Sequence, residues 1–162
     1  MVKSINKYDV PEKFYYFENE YCSPALTNDD KAKIKTLTDD YCSELWNQYV
    51  SETKNHLMLV NDPKDWKIKN EIKKKYNWQA DWNDTNTEAF IENLKPLVDW
   101  NNDDVVLFFW NKSCGIEATW QLICKYWISF LYEDEANIII NPKSKNVLLL
   151  STNGFLAIAE RM

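Results

Sequence analysis

Several side chains of this chain could carry chemistry, and each is better explained by something simpler. His56 is the only histidine, so a histidine-rich metal site is excluded and any Ser-His or Cys-His pair would depend on it. It stands in the polar run Lys54-Asn55-His56, the context of a solvated loop. Cys114 precedes Gly115 near an expected helix start, where an N-terminal dipole would favour a thiolate. A half-buried structural cysteine fits the same position without needing a base. Cys22, Cys42, Cys114 and Cys124 form no CxxC pair and read as buried thiols of a reducing compartment.

Paired carboxylates recur at Asp29/Asp30, Asp39/Asp40, Asp103/Asp104 and Glu133-Asp134-Glu135. Hydrolytic or metal chemistry needs two of them converging in a cleft. The first two pairs fall in helical first turns, where they complement the helix dipole. Asp103 and Asp104 flank a strand. Glu133, Asp134 and Glu135 follow a very apolar helix directly and read either as a plain surface loop or as an acidic patch offered to a basic ligand. Lysines from Lys64 to Lys75, with Trp66, Tyr76, Trp78 and Trp82 nearby, imitate a single-strand nucleic-acid platform. The acidic total and the carboxylates from Asp81 to Asp104 oppose that reading, so a solvated helix face is expected instead.

Composition narrows the classes further. The chain has 162 residues and a net charge of −6, with 45% hydrophobic residues, including eight Trp, nine Tyr and seven Phe. That much aromatic area excludes disorder. The length suits one domain over 1–162. The negative charge repels phosphates and attracts basic partners. Two glycines are too few for the usual phosphate-cradling loops. No segment has the apolar length of a signal peptide or a membrane span. The expectation is a cytoplasmic protein with no cofactor and no metal.

The elements that would position these residues follow from periodicity. Residues 1–26 contain the aromatic run Lys13–Glu18 between Pro11 and Pro24, read as an extended arm or an edge strand. Thr27 or Asn28 caps a short helix through Leu37, and Thr38 caps a second from Asp39 to about Glu52. In the second, Tyr41, Leu45 and Tyr49 form one row and Cys42, Trp46 and Val50 the next. Ile68, Ile72 and Tyr76 predict a short helix after Pro63. Thr85-x-x-Glu88 is a capping box opening a helix that ends before Pro96. Val105–Trp110 predicts a strand. Ile116, Trp120, Ile123, Trp127 and Phe130, at steps of four and three, predict a central helix over 116–131. Asn137–Asn141, Asn146–Ser151 and Phe155–Ala159 predict a three-stranded meander, its last turn at Asn153-Gly154. The fold class is α+β: helices first, then a mostly antiparallel sheet, with strand 105–110, packed on helix 116–131.

Glu117-Ala-Thr-Trp120, Tyr126-Trp127-x-x-Phe130-Leu-Tyr and Glu133-Asp134, followed by strand, turn and strand, carry a resemblance. The segment from Val105 to Ala159 resembles small bacterial proteins found beside secreted polymorphic toxins of the contact-dependent inhibition type, presumed to be immunity proteins. Glu117, Trp120, Trp127 and Asp134 match that pattern by position. The resemblance implies a non-catalytic protein that binds and occludes a cognate toxin, a basic one if acidic steering is used. Glu117, Glu133, Asp134, Glu135, Asp103 and Asp104 are the expected partner-binding residues, with neither nucleic acid nor membrane as partner. The rival readings are a small enzyme using carboxylates or Cys114 in a cleft, and a nucleic-acid accessory protein using the stretch 64–78.

Overall fold

In the computed structural model the described residues are 6–10, 26–57, 65–69, 74–78, 87–130, 136–150 and 155–162. The N-terminal helices start where their caps predict, but the first ends at Lys33 instead of running through Leu37, because Lys35 and Thr36 pair as a strand with Glu117 and Ile116. Thr27 Oγ1 accepts the Asp30 N–H at 3.1 Å and starts α1, Asn28–Lys33. Thr38 Oγ1 accepts the Tyr41 N–H at 3.3 Å and starts α2, Asp39–Tyr49. Each hydroxyl satisfies an amide that its helix leaves without a partner. Along α2, Cys42, Leu45 and Trp46 are buried, with Val50 just beyond its end. Between the two helices, β1 (Lys35–Thr36) is a two-residue strand.

The rest of the sheet is β2 (Lys74–Asn77), β3 (Val105–Asn111), β4 (Cys114–Thr119), β5 (Asn137–Ile140), β6 (Asn146–Leu150) and β7 (Phe155–Glu160). Two further helices are α3, Thr87–Leu94, which leads into a 3-10 turn at Lys95–Leu97, and α4, Trp120–Phe130. The strand order is β1-β4-β3-β5-β6-β7-β2. Every pairing between these strands is antiparallel. This is the expected α+β class, with the 137–159 meander and strand 105–110 in one sheet. Tyr8 adds a bridge to Leu37 beyond β1, so residues 6–10 extend that edge.

Two further expected helices are corrected. The central helix begins at Trp120, not at 116, because 114–119 is a strand paired with β3. Lys74–Asn77, expected at the end of a short helix, is a strand paired with β7. The physical reason is the same in both places. A step of four residues returns to one face of a helix and also to one face of a strand, so Ile116–Trp120 and Ile72–Tyr76 satisfy both periods. Backbone pairing with a neighbouring strand decides between them. The 13–18 run, Thr85, the Asn153-Gly154 turn and Leu131 lie outside the described residues.

Alternation along the strands feeds two apolar layers. Val106, Phe108, Trp110, Ile139, Leu148, Leu150, Leu156 and Ile158 face α3 and α4. Leu107, Phe109, Ile138, Ile140, Val147 and Ala159 face α2 with Trp46 and Trp66. The sheet is therefore covered on both faces. Aromatic packing locks α4 down: the Trp110 indole N–H donates to the Phe130 carbonyl at 2.7 Å, and Trp120 meets Trp100 edge-to-face at 4.8 Å. Such an aromatic pair adds about 0.5–1.5 kcal/mol beyond area burial. Gly115 lets α2 approach the hairpin. A Cβ there would lie 3.0 Å from Cys42 Sγ and 3.0 Å from the Phe108 carbonyl oxygen.

Candidate partner-binding surface

The described candidates among the expected acidic residues take different roles. Asp104 closes a turn. Its Oδ2 accepts the Asn101 N–H and the Asn141 side-chain amide, both at 3.0 Å, while its backbone carbonyl accepts the Trp120 N–H at 2.8 Å. The Asn101 amide first, and then Asn141, hold the carboxyl below its ordinary value. Glu117 projects from β4 toward α2 and accepts the Tyr8 hydroxyl at 2.7 Å. Asp103 is exposed and takes no hydrogen bond or ion pair among the described residues. Glu133, Asp134 and Glu135 lie outside the described residues.

Glu117 belongs to a charged and aromatic face that runs onto α2. Tyr8 packs edge-to-face on Tyr41 at 6.2 Å, and Tyr8 is 39% exposed beside the more exposed Val10. On α2, Asp39, Asp40 and Glu44 are exposed, and the helix DDYCSELWNQY carries no basic residue. Asp40 and Glu44 are one turn apart, a like-charge spacing that costs an isolated helix about 0.2–0.5 kcal/mol. The Tyr41 phenol is held above its ordinary value by burial first, then by the charges of Glu117, Tyr49 and Glu44. Lys7 lies over the Tyr41 ring at 5.3 Å and Lys35 over the Tyr8 ring at 5.8 Å. The surface thus offers carboxylates and partly exposed aromatics together.

Across the sheet, α1 meets the start of α4. The Asp30 carboxylate, on a side chain 12% exposed, accepts the Lys125 ammonium at 2.9 Å and the Tyr126 hydroxyl. The Tyr126 bond first, and then Lys125, hold the Asp30 carboxyl below its ordinary range. A cleft of about 300 Å³ opens beside this cluster, and Asp103 and Lys33 line it. Residues 95 apart in sequence make the ion pair. No local spacing announces it; only the first-turn position of Asp30 was legible.

The residues of the rival readings are placed as follows. Cys114 opens a strand, so the expected helix-dipole activation does not apply to it. Cys124 is buried on α4, and burial pushes its thiol up to about 12. His56 is half-buried in the loop after α2, where the Asn55 carbonyl accepts the Lys112 N–H. In the lysine-rich stretch, Trp66 and Trp78 are buried, and Lys67 and Lys69 pair with Glu52 and Glu160. Base stacking needs open aromatic faces, and these two indoles offer none. Among the described residues no group of three or more His, Cys, Asp or Glu side chains is arranged to hold a metal ion. No helix among them is long and apolar enough to cross a membrane.

The β-rich scaffold and both helical covers fall within one family match, which spans residues 7–159 and is described as "Protein of unknown function (DUF2947)". The chain belongs to the DUF2947 family. No curated protein and no solved structure matches it. For this DUF2947 chain, any statement of function therefore rests on the residues just described.

Proposed function

We propose that the protein is a non-catalytic binding protein whose acidic face captures a basic macromolecular partner. In the form the sequence resemblance implies, it is a cytoplasmic immunity protein that occludes a cognate toxin. The observation that carries the reading is the outward side of α2. Asp39, Asp40 and Glu44 stand there with no basic residue on the helix, next to Glu117 and the part-exposed Tyr8. Keeping like charges a turn apart is unfavourable for the helix by itself, and a basic partner would relieve it. Steering by such a field accelerates encounter, and aromatics at its rim supply contact area. A second observation weighs against general-acid chemistry at the described clusters. Asp30 and Asp104 are held as charges by internal donors, whereas a general acid near neutral pH needs a raised carboxyl.

The test is capture of the partner from the native host at low salt, followed by association kinetics with the purified pair. Asp40→Lys with Glu44→Lys is expected to slow association about tenfold or more and to flatten its dependence on salt. Cells producing the captured partner should survive only when this protein is co-produced. A non-basic partner, or an on-rate indifferent to both substitutions, would remove α2 from the interface and overturn the reading.

A further inference from the structure

We infer that the cleft between α1 and the start of α4 is a binding site for a small zwitterion, a molecule bearing an ammonium and a carboxylate a few bonds apart. The site is on the opposite side of the sheet from the acidic α2 face and does not depend on the function proposed for that face. Its lining supplies both charges: Asp30 and Asp103 against Lys33 and Lys125. A ligand of one sign would gain one pair and be repelled by the other. A zwitterion uses both.

The Asp30 side chain is 12% exposed, and its Oδ2 accepts from Lys125 and Tyr126. A carboxylate offers about four acceptor sites, so Asp30, which lines the cleft, can accept a further donor beyond Lys125, Tyr126 and Thr27. An ammonium in the cleft would supply that donor, with Asp103 as second acceptor. For the ligand carboxylate, Lys33 makes no ion pair among the described residues, and Lys125 gives Asp30 only one of its three protons. The amide end of α4 is not the anion site. The Trp120 N–H goes to the Asp104 carbonyl at 2.8 Å and the Gln121 N–H to the Asn102 carbonyl at 3.1 Å. The volume of about 300 Å³ is at the small end of ligand pockets, roughly 300–1,000 Å³, which limits the ligand to amino-acid size. Leu122 supplies an apolar wall.

The test is calorimetric titration of the intact chain with glycine, β-alanine and γ-aminobutyrate, which vary the charge separation. Propylamine and propionate serve as single-charge controls. At least one zwitterion should bind, with both controls weaker by about tenfold or more. Asp103→Asn and Lys33→Gln change exposed side chains, so both variants should keep the native circular dichroism while each weakens that zwitterion about tenfold. No binding by any of the three at millimolar concentration would overturn the assignment. So would controls that bind equally well, or folded variants that bind as the parent does.

Discussion

Tyr8 and Glu117 show how one side chain expected at an interface is also used within the fold. The Tyr8 hydroxyl donates to Glu117, and this bond ties residues 6–10 to the β1 edge together with the Asp9 N–H to Thr36 carbonyl bond at 2.8 Å. The bond first, then burial and the Glu117 charge, raise the Tyr8 phenol from 10.0 to about 12. Folding thus favours the protonated phenol. Its contribution is complete below the ordinary value of 10.0 and is lost as pH rises through about 12. Ultraviolet titration should show a late tyrosine that is absent from Tyr8→Phe, with residues 6–10 becoming protease-sensitive as it ionises. Titration of Tyr8 at the ordinary value would contradict the bond. Sequence placed Glu117 in a motif, but nothing local showed that a tyrosine 109 positions away would bond to it.

At the scale of elements, the contact of α1 with α4 rests on Asp30. Tyr126 departs from helical geometry within α4, at φ −115° and ψ 19°, and it is the residue whose hydroxyl reaches Asp30. Tyr126→Phe keeps the buried ring and removes that donor. It should lower stability by about 1–2 kcal/mol, the range for losing a hydrogen bond to a charged group at a partly solvated site. Lys125, half exposed at 51%, adds less. The pH dependence has the opposite sense to that of Tyr8. Asp30 is held below its ordinary 3.8, so its stabilisation is present above that value and is lost as pH falls through the lowered one. In Tyr126→Phe the loss should be smaller and complete at higher pH in acid-unfolding curves, from a lower starting stability. Unchanged curves would mean that the hydroxyl does not hold the helices together. Helix existence here was legible from Thr27, Thr38 and the apolar spacing. The strand identities of 114–119 and 74–77 were not, because a four-residue step fits both periods.

For the whole molecule, strand order decides where stability is concentrated. β3 and β5 lie inside the sheet, while β1 and β2 are its described edges. Phe108, Phe109, Ile138 and Ile140 are at most 1% exposed and fill both layers. Amides of β3 and β5 should therefore exchange with solvent only through global unfolding, and those of β1 and β2 faster by local opening. Mass-resolved hydrogen exchange checks this; protection greatest at the edges would refute it. The amino-acid sequence by itself determined the α+β class, the caps, the meander and the negative charge, because each depends on residues close together along the chain. Tertiary structure alone decided that both faces of the sheet are covered and that Asp104 is consumed in a turn. It also decided that Asp30, Lys33, Asp103 and Lys125 share one cleft. These are meetings of residues far apart in the chain, brought about by strand pairing and side-chain packing, and no local period records them.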